Sequence, residues 1–236
     1  MPSTEYGWSA RMDTLANVET QDATKTLLAA RSQSTAVSVS LMLGSFLVAI
    51  LTSAIVLATF GVGEHGTVIA LRVTARWSFL LFWPAYTGRA IESLFGSRAP
   101  GFARRSRDFG LAFALAQLVH VGLVCWLIFV LPALRSGMLF FWIGIVCTYL
   151  LALNSIPRVQ KAFAPRLCRA LCTIAIEYIA LVFAADFILL QLQGGAPGKY
   201  WVLTYLPFAI LLIVGVGLRV AAYAWQLLNS MSNSHG

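Results

Sequence analysis

The chain has 236 residues, 59% of them hydrophobic and 11% charged, too little polar surface to coat a water-soluble globule, so lipid is the expected solvent for most of it. Seventeen Lys and Arg against nine Asp and Glu give a net charge of +8; in a membrane chain such an excess sets orientation through the connecting loops and does not point to nucleic acid. Cys125, Cys147, Cys168 and Cys172 lie within or at the ends of apolar stretches, which excludes the spacing of a disulfide framework or a zinc site.

Residues 1–34 are polar and of mixed charge, with Leu15, Val18, Leu27 and Leu28 loosely spaced for a weak amphipathic helix. So short a piece cannot bury a core, and it is expected to be a polar cytoplasmic segment. It shows no basic region followed by a short apolar core and a cleavage site, so the first apolar helix is expected to act as an uncleaved insertion signal. A helix rising about 1.5 Å per residue needs roughly 20 apolar residues to cross about 30 Å of hydrocarbon. Uncharged runs at 35–62, 109–134, 136–157 and 200–218 meet that requirement. The last stays apolar past Arg219 to Trp225, with the arginine expected to snorkel toward the interface. Two further stretches carry charge: 67–90, with Arg72 and Arg76, and 164–192, with Arg166, Arg169, Glu177 and Asp186. The expected fold is therefore an all-α integral membrane protein, a six-transmembrane-helix bundle over residues 35–228 with a disordered tail at 229–236. Pro84 and Pro207 fall inside the second and sixth spans and are expected to kink them.

The loops alternate in charge. Arg98, Arg104, Arg105 and Arg107 lie between spans two and three, and Arg158 and Lys161 between spans four and five. The intervening loops carry only Glu64 and His65, Arg135, and Lys199. The positive-inside rule puts the arginine-rich loops and both termini in the cytoplasm of a multi-pass protein of the cell membrane, expected to be a bacterial inner membrane.

A charge at the bilayer centre costs on the order of 2.5–3.5 kcal/mol even on insertion scales, so Arg72, Arg76, Glu177 and Asp186 need partners or a purpose. Counting depth along the helices pairs Arg72 with Asp186 and, less closely, Arg76 with Glu177. The pairs serve either as ion bridges between spans two and five or as part of a proton path, quinone site or ligand site. His120 lies near mid-membrane in the third span, with Gln117 one turn toward the cytoplasm on the same face. Cys168 and Cys172 share a face at i, i+4, as packing residues or as ligands for a soft metal. There is no P-loop, GxSxG, HExxH, CxxCH or dinucleotide-binding glycine pattern.

From the second span onward, four stretches carry a family likeness: RVTARWSFLLFWPAY at 72–86, RRSRDFGLAFALAQLVHVG at 104–122, TYLLALNS at 148–155 and PRLCRALCTIAIEYIALVFAADF at 165–187. In these the chain resembles the ferric reductase-like transmembrane domain family, which includes the haem-binding membrane subunit of the bacterial methionine sulfoxide reductase system and the membrane core of NADPH oxidases. The resemblance implies b-type haem held between histidines of the third and fifth spans. His120 stands at the third-span position, Gln117 where a second histidine of that helix often lies, and Cys172 where the fifth span would offer its ligand; His65 and His235 lie in an outer loop and the tail. Two classes of function follow. One is a haemless relative acting as a scaffold, assembly or accessory subunit. The other is an electron-transfer subunit with one haem at His120, completed by Cys172 or another weak ligand, or with a quinone near Arg76 and Glu177. No flavin or nicotinamide motif is present, so the second class implies a separate redox partner, soluble or membrane-bound, as electron donor.

Overall fold

A computed structural model describes residues 35–96, 101–130, 139–155, 159, 164–189 and 199–232, and these are helical almost throughout, with no strand among them. The chain divides into two units, Met1–Ser40 and Leu41–Gly236. In the first, the described residues 35–40 are helical, and Ser40 Oγ donates to the Val37 carbonyl at 3.0 Å. The expectation for residues 1–34 lies outside the described residues.

The helices, in chain order, are α1 (Thr35–Phe60), α2 (Glu64–Phe95), α3 (Phe102–Val130), α4 (Leu139–Asn154), α5 (Pro165–Ala184), which continues as a π turn over Ala185–Leu189, and α6 (Lys199–Ser232). Four segments, Thr35–Phe60, Arg105–Phe129, Arg166–Leu189 and Thr204–Ser232, are long and apolar enough to cross a membrane. Helix α4 has 16 described residues, about 24 Å of rise.

Helix α2, not among these four, carries Arg72, Arg76, Arg89 and Glu92, and its position in the bundle explains how it tolerates charge. It packs along α3 and against α6, and it is the most enclosed of the helices. Thr67, Thr74, Ser78, Phe79 and Thr87 are fully buried. The three threonines turn their hydroxyls back onto carbonyls of Gly63, Ala70 and Trp83, at 2.8, 2.9 and 2.8 Å, so those buried hydroxyls keep a partner without water. The outer faces are apolar instead: Ile55, Phe129, Ile174 and Ile213 are all more than 60% exposed. A continuous apolar exterior of that kind suits lipid rather than water.

The core is aromatic. Phe79 of α2 meets Phe183 and Phe187 of α5 with ring centroids 5.2 and 5.1 Å apart, and Phe82 meets Phe113 of α3 and Phe183 at 5.4 and 5.3 Å. Phe208 of α6 closes on Phe187 at 5.4 Å. These edge-on and tilted pairs join four helices where lipid gives no hydrophobic drive for helix association. Three indole N–H groups add straps to backbone carbonyls: Trp77 to Ser45 at 3.1 Å, Trp83 to Leu211 at 2.7 Å and Trp126 to Val62 at 3.1 Å.

Close approach depends on glycine at a few points. A Cβ on Gly88 would lie 2.5 Å from Ser106 Cβ across the α2–α3 contact, and one on Gly215 would lie 3.2 Å from Trp83 Nε1, so Gly215 serves packing within the chain. Helix α1 stops at Phe60 rather than at residue 62, because Gly61 turns to a φ of 85° and starts a tight reversal into α2. Gly66 completes that reversal: its Cβ would sit 1.9 Å from the Gly61 carbonyl oxygen. At the other end α6 runs on to Ser232, so residues 229–232 of the expected disordered tail are helical. Pro84 and Pro207 lie inside the uninterrupted helices α2 and α6.

Gly66→Ala and Gly88→Ala are each expected to cost about 1–3 kcal/mol by overpacking, read as a lower Tm of the detergent-solubilised protein. Gly217→Ala, whose Cβ meets nothing within 4 Å, should leave the Tm unchanged or raise it slightly.

Candidate functional site

Glu177 of α5 is the anchor of a polar cluster that joins three helices. Arg219 of α6 reaches Glu177 Oε1 through Nη2 at 2.7 Å, and the Tyr86 hydroxyl of α2 donates to Oε2 at 2.9 Å. Arg219 also donates through Nη1 to the Tyr86 carbonyl at 3.1 Å and through Nη2 to the Tyr223 hydroxyl at 3.3 Å, and its guanidinium lies 4.6 Å from the centre of the Tyr86 ring. With a charge partner, hydrogen bonds at both Nη atoms and an aromatic face supplied, and Nε alone left buried without a partner, the Arg219 side chain is only 14% exposed, against 44% for Glu177. Two expectations are corrected. Arg219 does not snorkel, because Gly215 one turn before it brings α6 against α2 and turns the guanidinium inward. Glu177 pairs with Arg219 rather than with Arg76, because depth counting had considered charges on the second and fifth spans alone.

Arg76 sits elsewhere, over the rings of Tyr205 and Phe208 at 4.7 and 5.9 Å. Asp186, in the π turn that ends α5, feels the attraction of Arg76 most and of Arg72 next. Both arginines of α2 thus act on Asp186, Arg72 as expected and Arg76 beside it. Along α5, Glu177 and Asp186 are nine residues apart, about 13.5 Å, so the two clusters occupy different depths.

His120 lies at the Arg76 end. Its Nδ1 is 2.9 Å from Thr74 Oγ1, and the ring is also hydrogen-bonded to the Leu71 carbonyl. The single Thr74 proton has the Ala70 and Leu71 carbonyls at 2.9 and 3.1 Å, so Nδ1 is assigned as the protonated nitrogen and the histidine clasps α3 to α2. Gln117 Oε1 is buried among the described residues without a hydrogen-bond partner. Cys172 is far from both. Asn154 of α4 donates through Nδ2 to its sulfur and accepts at Oδ1 from the Cys168 thiol at 2.7 Å, a clamp between α4 and α5. Cys172 lies fourteen residues, about 21 Å, along α5 from Asp186, whereas His120 lies level with Thr74 beside Arg72 and Arg76. His65 packs edge-on against Phe60 at the α1–α2 turn, nine residues or about 13.5 Å along α2 from Thr74. His120, Gln117 and Cys172 therefore do not assemble into one cofactor site, and a haem clamped from two sides does not fit the residues present.

A wide opening lies at the other end of the bundle from His120. A cleft of about 1160 Å³ is bounded by α2, α3, α4, α5 and α6. Phe82 and Phe113 form its floor, and Arg89, Arg107, Arg169 and Arg219 line it with no Asp or Glu beside them. Arg107 donates to the Ser155 carbonyl and Arg219 is held by Glu177. Among the described residues, Arg89 and Arg169 have no carboxylate partner. Tyr86, Arg89 and Tyr223 have no role in the sequence analysis, and Arg219 enters it only as a snorkelling residue, although the i, i+3 spacing of Tyr86 with Arg89 and the i, i+4 spacing of Arg219 with Tyr223 place each pair on one helix face. The chain matches no family model, no curated protein and no solved structure.

A double-mutant cycle separates the two pairings. Glu177→Gln with Arg219→Gln is expected to show a coupling of about 1 kcal/mol in thermal unfolding, modest because Glu177 is partly exposed, whereas Glu177→Gln with Arg76→Gln should be additive.

Proposed function

We propose that this chain is a six-span protein of the cell membrane, both termini cytoplasmic, built on a ferric reductase-like bundle but working without haem as a scaffold, assembly or accessory subunit. The observation that carries this reading is the use of His120 as an interhelical clasp to Thr74 and Leu71, with Cys172 tied to Asn154 at the opposite end. The proposed orientation is supported by charge. The cleft end of the bundle holds Arg89, Arg107, Arg169 and Arg219, and it is the end from which the arginine-rich loops leave.

The electron-transfer reading, with one haem on His120 or a quinone beside Arg76, draws on one observation. A histidine whose Nδ1–H is held by another group of the protein, here Thr74 Oγ1, keeps the Nε2 lone pair, the arrangement common among metal-bound histidines. A visible spectrum decides between the two. Protein purified in detergent from haem-supplemented cells is expected to show no Soret band, and His120→Ala to lower stability by about 1–3 kcal/mol through loss of a buried hydrogen bond. A Soret band that vanishes in His120→Ala would select electron transfer instead. Reporter fusions to each terminus should both read as cytoplasmic, and a split result would refute the six-span topology.

A further inference from the structure

The cleft combines features that neither a scaffold nor an electron carrier requires. Its floor is apolar, made by Phe82 and Phe113, both at most 5% exposed, while its walls carry four arginines and no carboxylate. Arg219 is neutralised by Glu177, and Arg107 is turned toward the Ser155 carbonyl. That leaves Arg89 on α2 and Arg169 on α5 as the guanidinium groups lining the cleft that have no carboxylate partner among the described residues. Unpaired guanidinium groups facing a shared cleft match a phosphate, whose oxygens accept paired N–H donors.

A soluble phosphate compound would not need the floor, and the shape of the cleft argues for a lipid. Ile174 lines the cleft and is 65% exposed on the outer face of α5, so the cleft is continuous with the apolar exterior. An amphiphile in the surrounding leaflet has a sideways route in, with its head at the arginines and a chain against the aromatic floor. At about 1160 Å³ the volume exceeds the roughly 300–1,000 Å³ usual for small-molecule sites. Basic pockets between spans at the cytoplasmic side are a known setting for anionic headgroups.

We propose that this cleft binds one anionic phospholipid, its phosphate held between Arg89 and Arg169 and an acyl chain laid along Phe82 and Phe113. The proposal rests on the membrane-spanning reading but not on the absence of haem. The test is native mass spectrometry of the full chain in neutral detergent, titrated with dioleoyl phosphatidylglycerol, dioleoyl phosphatidylcholine or inorganic phosphate. One phosphatidylglycerol should bind at least about tenfold more tightly than phosphatidylcholine, and Arg89→Gln with Arg169→Gln should bring the two to parity. Inorganic phosphate at equal concentration should not displace the lipid. Equal binding of both lipids, a preference that survives the double substitution, or displacement by inorganic phosphate would each overturn the site. If the double variant fails to fold, the single Arg169→Gln variant, at an exposed position, must by itself weaken the preference, and an unchanged preference refutes the proposal. Carbonate extraction keeps the two levels apart: release of the wild-type chain from membranes rejects the spanning reading, while an integral protein with no lipid preference rejects only the site.

Discussion

A guanidinium or carboxylate removed from water must find its partners inside the protein, and the arrangement of this bundle follows from meeting that demand on helix α2. Arg72, Arg76, Arg89 and Glu92 all lie on α2, which neighbouring helices enclose, while helices with clean apolar faces stand outside. Arg76 and Tyr86 of α2 are turned toward α5 and α6, where the rings of Tyr205 and Phe208 and the carboxylate of Glu177 meet them, while Arg72 and Arg89 stay exposed. Buried threonines on the same helix return their hydroxyls to its own backbone, so the interior holds polar atoms without needing water for them.

Two polar clusters at different depths then tie α5 to its neighbours. At one, Asp186 lies in the field of Arg76 and Arg72, with Tyr205 and Phe208 of α6 beneath the Arg76 guanidinium. At the other, Glu177 draws Arg219 and Tyr86 together, so α2, α5 and α6 meet at one carboxylate. Between them lies the aromatic core of Phe79, Phe82, Phe183 and Phe187. Since lipid rewards helix association weakly, directional contacts of this kind and the close approaches at Gly88 and Gly215 are what make the packing specific.

The chemistry divides along the same axis. His120, the one histidine among the described residues of the helix interiors, belongs to the Arg76 end and serves the α2–α3 contact. The arginine-rich end opens into a cleft with an apolar floor, and there the free donors are guanidinium groups rather than redox ligands.

Much of the architecture was legible in the sequence, because hydrophobic length is a local property. Among the described residues the apolar stretches became helices, but several limits moved: α2 covers Glu64–Phe95 and α3 begins at Phe102, both beyond the expected bounds, α1 stops at Phe60 where Gly61 intervenes, and helix propensity outlasts apolarity at 229–232. Charge partners were not legible to the same degree. Depth along two helices pairs Glu177 with Arg76, whereas α6 approaches α2 at Gly215 and brings Arg219 to that carboxylate, a contact between residues distant in the chain. The grouping of His120 with Cys172 failed for the same reason: residue type marked both as ligands, but only the antiparallel packing decided that they lie at opposite ends. By itself the sequence determined which segments prefer lipid, since that depends on composition over about twenty residues. Which side chains meet across the bundle was decided by the tertiary structure alone, because rotation and close approach of helices are set by contacts between residues distant in the chain.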